Sequence, residues 1–216
     1  MVIDLSKSNS LVNQFVSEIR DLKIQKDRLR FRRNIERLGE IVAYEISKTL
    51  NYSFRKVETP LGTIDMPLLQ EQPVIGTILR AGLPLHNGIL NYFDQADNSF
   101  ISAFRHHHDD GSFEIKLDYM ASASIQNKIF IIADPMLATG TSMVLTLKEI
   151  YQFGQPSHTH IVSLIASESG IENVRNHLDN FTLWACAIDK ELNSKSYIVP
   201  GLGDAGDLAF GEKIQN

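Results

Sequence analysis

Five apolar runs of strand length, at residues 73–79, 99–104, 128–133, 160–166 and 181–188, set the pattern of this chain. Between most of them lie helix-like segments, at 83–93, 142–153 and 168–177. A strand that is apolar on both faces must be covered on both, and strands alternating with helices make a parallel sheet with helices on each side. The expected fold class is therefore α/β, a mostly parallel sheet flanked by helices. With 216 residues the chain fits one domain spanning 1–216. A composition of 43% hydrophobic and 22% charged residues excludes disorder as its main state.

Two N-terminal helices are expected within residues 1–50. Leu11, Val12, Phe15, Val16 and Ile19 recur at helical spacing, and Phe31, Ile35, Leu38, Val42 and Ile46 do so again. Arg28, Arg30, Arg32 and Arg33 cluster at the start of the second helix, and charge pattern alone reads them as a solvated face. Residues 54–58 and 63–66, separated by Thr59-Pro60-Leu61-Gly62, read as a hairpin.

Lysine and arginine total 21 against 26 aspartates and glutamates, a net charge of −5, so no bulk field draws in a polyanion and no nucleic-acid partner is expected. A phosphate-bearing ligand must be held by a local site. The lone Cys186 forms no internal disulfide, and beside Trp184 in an apolar run it reads as a packed thiol. The absence of a signal-like apolar run at residues 1–10, and of any stretch of ~20 apolar residues, leads us to expect a cytoplasmic protein with no membrane partner.

The most informative segment is the apolar run Ile129-Phe130-Ile131-Ile132-Ala133, followed by Asp134-Pro135-Met136-Leu137-Ala138-Thr139-Gly140-Thr141-Ser142 and a helical pattern. The unpaired backbone N–H groups and positive dipole end of a helix start hold a phosphate without a lysine. Gly140 permits close backbone approach, and Thr139, Thr141 and Ser142 add hydroxyl donors. The G-x-x-x-x-G-K-[ST] pattern has no match. Asp134, at the carboxyl end of the strand, is placed to accept from sugar hydroxyls or to face a metal.

Two arginines also close strands: Arg80, in Leu79-Arg80-Ala81-Gly82, and Arg105 after residues 99–104. Arg105 opens a polar stretch, Arg-His-His-His-Asp-Asp-Gly, followed by an extended segment at 112–119, an excursion from the sheet able to cover a site. His106, His107 and His108 with Asp109 and Asp110 lack zinc-ligand spacing and read as a solvated loop. Near the C-terminus, Gly201, Gly203 and Gly206 match G-x-G-x-x-G, yet a dinucleotide unit needs a further strand and an acidic residue ~20 positions on, for which the chain has no room. What remains is a glycine-rich loop carrying Asp204 and Asp207.

An acidic residue closing an apolar strand before Ala-Thr-Gly-Thr-Ser resembles the phosphoribosyl diphosphate (PRPP) loop of phosphoribosyltransferases. Asp134-Pro135-Met136-Leu137-Ala138-Thr139-Gly140 and Tyr197-Ile198-Val199-Pro200-Gly201-Leu202-Gly203-Asp204-Ala205-Gly206-Asp207 resemble the uracil phosphoribosyltransferase branch. Arg80 and Arg105 fall where that family has its diphosphate and PRPP arginines, and the likeness covers residues 11–211. Departures are Thr141 in place of a common glycine, Thr77 in place of a common proline, and Met120-Ala121-Ser122-Ala123 after Tyr119.

The resemblance implies a type I phosphoribosyltransferase fold with a β-arm or flap and a base-binding hood at 190–216. It implies a reaction of uracil with PRPP giving UMP and diphosphate, with Mg2+ as cofactor, held mainly through PRPP and by Asp204. Asp134, Asp204 and Arg80 would act in catalysis. PRPP would be held by Arg80, Arg105, Asp204 and the run Asp134, Pro135, Met136, Leu137, Ala138, Thr139, Gly140, Thr141 and Ser142. Uracil would be read by Ile198, Gly203, Asp204 and Ala205. The family likeness also implies a homo-oligomer, a dimer or higher, and GTP as an activator. The competing reading is a non-catalytic nucleotide-sensing regulator on the same fold, against which stand the acidic balance and the intact 200–207 loop.

Overall fold

The apolar runs pair edge to edge in one sheet, because none has a polar face to turn to water. The computed structural model describes residues 1–107 and 113–213, with side chains outside 103–118. In chain order the elements are β1 (Val2–Asp4), α1 (Leu11–Arg20), α2 (Arg28–Ser47), β2 (Tyr52–Thr59), β3 (Gly62–Leu69), β4 (Val74–Leu79), α3 (Gly82–Leu90), β5 (Asp97–His107), β6 (Phe113–Ser122) and β7 (Ile129–Ala133). The second half adds β8 (Met136–Leu137), α4 (Thr141–Ile150), β9 (His158–Ser167), α5 (Glu168–His177), β10 (Phe181–Asp189), β11 (Glu191–Leu192), β12 (Ile198–Val199) and α6 (Ala205–Phe210).

The sheet runs β1-β10-β9-β7-β4-β5-β6, with β8 joined to β9, while β2–β3 and β11–β12 are separate hairpins. All neighbours in the main sheet are parallel except β5 and β6. From β4 the chain steps outward to β5 and β6, then returns to β7 on the opposite side of β4. Strand order thus reverses between β4 and β7, where open α/β sheets hold their ligands, beyond the carboxyl ends of the strands.

Alternate residues of each central strand serve opposite cores. Ile75, Ile131, Ala133 and Val162 face α1, α2 and α3, through Ile19, Phe31, Leu38, Val42 and Leu85. Val74, Phe130, Ile132 and Ile161 face α4 and α5, through Met143, Leu147, Ile171 and Val174. Cys186 is fully buried, and burial pushes its thiol up to about 12, which leaves it unreactive.

The start of the chain differs from the expectation of helix alone. Residues 2–4 form an edge strand, with Ile3 paired to Trp184, a run too short for any periodicity to register. The arginine cluster is largely exposed, as expected, with Arg32 half-buried, and three of its members also have partners. Arg30 pairs at 2.9 Å with the buried Glu18 of α1, Arg32 donates to the Ala209 carbonyl (2.7 Å), and Arg33 pairs with Glu36 (2.7 Å). Hydrogen bonds from Arg30, Gln14 and Asn34 hold the Glu18 carboxyl at about 2. The expected extended segment after Arg105 is β6, antiparallel to β5. Its base is part of the sheet, and beyond a register shift at Ser102/Ala103 the pair continues past the end of β4 as an arm. Residues 108–110 of the His-Asp stretch lie outside the described residues.

At the opposite end of the sheet His160, 3% exposed, accepts from the indole Nε1 of Trp184 at 3.0 Å through Nδ1. Burial, then the adjacent His158, push His160 down to about 3, so it stays neutral in the fold. Unfolded, it titrates near its ordinary 6.5, and the unfolded chain takes the proton first. Its contribution is whole above that value and falls as pH drops toward 3. We expect His160→Gln, whose amide oxygen still accepts from Trp184 but does not titrate, to flatten the decline in urea midpoint between pH 7 and 5. An unchanged slope would show that His160 does not drive it.

Candidate active site

The loop after β7 is pinned from behind. The Asp134 amide donates to Val162 O, and the Pro135 carbonyl accepts from Leu164 and Ile165 N–H, each at 3.0 Å. Leu137 N–H donates to Ser163 Oγ (3.1 Å), so Met136–Leu137 is a short strand where the sequence indicated only loop. The next two carbonyls are tied to the start of α5: Ser167 Oγ donates to Ala138 O, and Asn173 Nδ2 donates to Thr139 O at 2.8 Å. Gly140, at φ 74°, precedes the first residue of α4, and a Cβ there would lie 2.7 Å from Gly170 O. A Cβ on Gly170 would in turn meet Leu137 O at 2.8 Å. Both positions need glycine for backbone to pass against backbone.

This packing leaves the amino end of α4 without a side-chain cap, so its first amides are not satisfied within the helix. Asp134, Met136, Leu137, Ala138, Thr139, Gly140, Ser142 and Met143 line a cavity of about 50 Å³ there. Pro135 and Thr141 are not in the lining. Pro135 is buried beneath the loop, and the Thr141 hydroxyl accepts from Thr139 Oγ1 at 3.2 Å. Asp134 accepts a hydrogen bond from the Met136 amide, yet desolvation dominates and pushes its carboxyl up to about 7.

Arg80 stands beside this loop, one strand over. Thr77 of β4 is paired with Ala133, and Gly82 packs so closely over Thr77 Oγ1 and Ala133 O that no side chain fits there. The Arg80 guanidinium turns to the C-terminal segment. It pairs with Asp207 at 2.9 Å and donates to Gly211 O at 3.1 Å. The Leu79–Arg80 and Val199–Pro200 bonds are cis. Arg105 lies on the arm, opposite Ile115, and its side chain is outside the described residues.

The C-terminal segment folds as the small β11–β12 hairpin, a glycine loop and α6. Ile198 is buried against Leu202, Ala205 and Ala209, in the core that also holds α2. Gly203, at φ 97°, has nothing within 4 Å of a would-be Cβ. Asp204 caps α6, its Oδ1 accepting from Asp207 N–H at 3.0 Å, and Gly206 sits between that oxygen and Arg80. Ala205 begins the helix and is 4% exposed. Three segments that were candidates in the sequence therefore lie at one end of the sheet: Arg80 bonds directly to the C-terminal segment, while the cavity of the 134–142 loop, one strand over, is lined by neither. Sequence reasoning passed over Ser167, Gly170 and Asn173, and noted Asp207 without giving it a partner. For the first three the signal was a helix start, Ser-Glu-Ser-Gly, that reads like any other cap.

Comparison with known proteins bears on the chain as a whole. The family model described as uracil phosphoribosyltransferase matches residues 6–212. A uracil phosphoribosyltransferase of Porphyromonas gingivalis is 54% identical over 214 residues, 99% of each chain. One from Methanothermobacter thermautotrophicus is 38% identical, with 94% of this chain and 93% of that one covered. Among solved structures, the AQ2163 protein of Aquifex aeolicus superposes with a TM-score of 0.87 at 28% identity, each chain covered completely. A hypoxanthine-guanine phosphoribosyltransferase of Bacillus anthracis gives 0.51 at 12% identity over 73% of this chain and 80% of its own, a likeness of fold alone. On its sequence from residue 6 to residue 212, the chain belongs to the uracil phosphoribosyltransferase family.

Proposed function

We propose that the chain is a pentosyltransferase that moves the 5-phosphoribosyl group of PRPP to N1 of uracil, giving UMP and diphosphate. The observation that carries the reading is the meeting of an uncapped helix start, a carboxylate, an arginine and a glycine-rich backbone loop where the strand order reverses. In this reaction the C1′–O bond of PRPP breaks with its electron pair leaving on diphosphate, the N1–C1′ bond forms, and uracil loses its N1 proton. Positive charge grows on the ribose and negative charge on the leaving group, so placement and electrostatics do most of the work.

The amides and hydroxyls of the 138–142 loop would hold the 5′-phosphate and Asp134 the ribose hydroxyls. Arg80, with Arg105 from the arm, would hold the diphosphate. Mg2+ supplies charge neutralisation on the phosphates. The oxygen donors at this end suit it, since Mg2+ keeps several waters and takes one or two carboxylates with phosphate oxygens. Asp204, whose Oδ1 caps α6, is the carboxylate that would take that role. Ile198 and the backbone of Gly203–Ala205 offer hydrogen-bonding groups of fixed polarity to a planar base.

Uracil presents acceptor, donor, acceptor along O2, N3–H and O4, whereas cytosine reverses N3 and the 4-position. A buried edge that fits one leaves groups unpaired against the other, which separates substrates by about 10⁴-fold or more. We expect PRPP-dependent turnover of uracil and none detectable with cytosine. Failure to form UMP from uracil, PRPP and Mg2+ would overturn the assignment.

Burial holds the Asp134 carboxyl near 7, and ribose hydroxyls donating to it stabilise its ionised form, so PRPP affinity should rise with pH up to about that value. Its raised value also means that the stabilising protonated form is lost as pH climbs from the ordinary 3.8 through 7. Asp134→Asn should therefore cut turnover by about 10²-fold or more while raising the melting midpoint at pH 8, the gain shrinking toward pH 4. Unaltered turnover would remove Asp134 from the site.

We also infer that a second copy of this chain covers the β2–β3 hairpin. An isolated two-stranded hairpin is marginal in water, yet this one holds eight residues per strand with Phe54, Leu61 and Ile64 largely exposed. Phe54→Asp with Ile64→Asp should shift the sedimentation coefficient from dimer to monomer. A wild-type monomer would overturn this.

A further inference from the structure

Gly201 and Leu202 lie between Ile198 and Gly203, within the stretch read above as base-binding, and side chains from two distant elements fasten them. Arg20, the last residue of α1, and Asp189, the last of β10, form a two-pronged ion pair, Nη1 to Oδ2 at 2.7 Å and Nη2 to Oδ1 at 2.8 Å. The same two groups take both polar atoms of the Gly201 backbone. Its N–H donates to Asp189 Oδ2 at 2.9 Å, and its carbonyl accepts from Arg20 Nη1 at 3.0 Å. Asp189 is 8% exposed and the Arg20 side chain 21%. Gln25, with its amide nitrogen oriented to donate, adds bonds to Leu202 O (3.0 Å) and Ile19 O (3.1 Å).

The backbone at this point has no freedom to compensate. Gly201 is at φ 55°, and a Cβ there would collide with Ile198 O. Two residues on, Gly203 is open on all sides, and the stretch is next secured at Asp204, by its cap on α6. The short span that faces the base thus hangs between one buried ionic anchor and one helix cap. A buried ion pair is weak evidence for stability, because desolvation offsets its attraction. Joining α1 to β10 does not require that either partner spend a hydrogen bond on Gly201, and both do.

We propose that Arg20 and Asp189 are positioning residues for uracil: they set the height and direction of the Gly203–Ala205 backbone and so govern affinity for the base, without touching it. The inference rests on the reading of 198–205 as the uracil site. Asp189 is held ionised despite its burial, since hydrogen bonds from Arg20 and Gly201 outweigh desolvation, so the clamp stays charged at neutral pH. Arginine is needed here for its fork. A lysine brings one charge and cannot serve two carboxylate oxygens and a carbonyl in one plane.

Arg20→Lys and Asp189→Asn test this with little loss of volume. KM for uracil should rise about 10-fold or more, while KM for PRPP stays within about 2-fold and kcat within a few-fold. Exogenous guanidinium at millimolar levels should lower the raised uracil KM of Arg20→Ala and leave wild type unchanged. Equal rises in both KM values, or a lowered melting point with neither KM altered, would overturn the proposal and reduce the pair to a structural tie. A second readout needs no substrate: amide hydrogen exchange at 201–204 should quicken in Arg20→Lys while β7 and β9 remain protected. If the wild type makes no UMP, the functional reading fails, and the exchange experiment still decides whether the clamp orders the loop.

Discussion

The pairing of β4 with β7 is the constraint on which everything else at this end of the molecule depends. These strands are far apart in sequence and the β5–β6 excursion separates them, yet Val74 to Thr77 lie in parallel register with Phe130 to Ala133. Their carboxyl ends emerge side by side at the reversal of strand order, one leading to Arg80 and the other to Asp134. The connections diverge from there to opposite faces, α3 onto the core of α1 and α2, and α4 onto that of α5. A crevice is the necessary result. Gly82 lying on Ala133 O brings its two walls to backbone contact at the base.

The phosphate loop illustrates how a polar recess is built from satisfied parts. The carbonyls of Pro135, Ala138 and Thr139 are bound from the rear, by the strand β9, Ser167 and Asn173 in turn. The amino end of α4 has no side-chain cap beyond a long 3.4 Å bond from Thr141 N–H to Thr139 Oγ1, and it shares a cavity with a carboxyl whose burial raises its proton affinity. Burying an acid in that place costs stability, which the hydrogen bonds behind the loop offset.

Much of this was legible in the chain. Runs apolar on both faces announce a covered parallel sheet, and Asp134 to Ser142 combine a strand end, a glycine and hydroxyls in an order with few other uses. The remainder was not legible for definite reasons. Val2–Asp4 is shorter than any period. Charge pattern read the exposed side of Arg28, Arg30 and Arg33, but the partners of Arg30 and Arg32, Glu18 and the Ala209 carbonyl, lie elsewhere in the chain and leave no local signal. Arg20, Asp189 and Asp207 are ordinary charges in sequence. Only the tertiary fold, which brings positions 169 residues apart to 2.7 Å in the first pair, gives them a task.

Arg80 deserves to be seen as already occupied. Its charge is met by the Asp207 carboxylate and the Gly211 carbonyl. An anion arriving there displaces a resident one, so the affinity measured is the difference between two ion pairs rather than the strength of either. The released carboxylate belongs to the same six-residue helix whose cap is Asp204. Filling one half of the crevice therefore changes the charge balance of the other half with no movement of the sheet, and when the visiting anion departs, the chain supplies its own replacement.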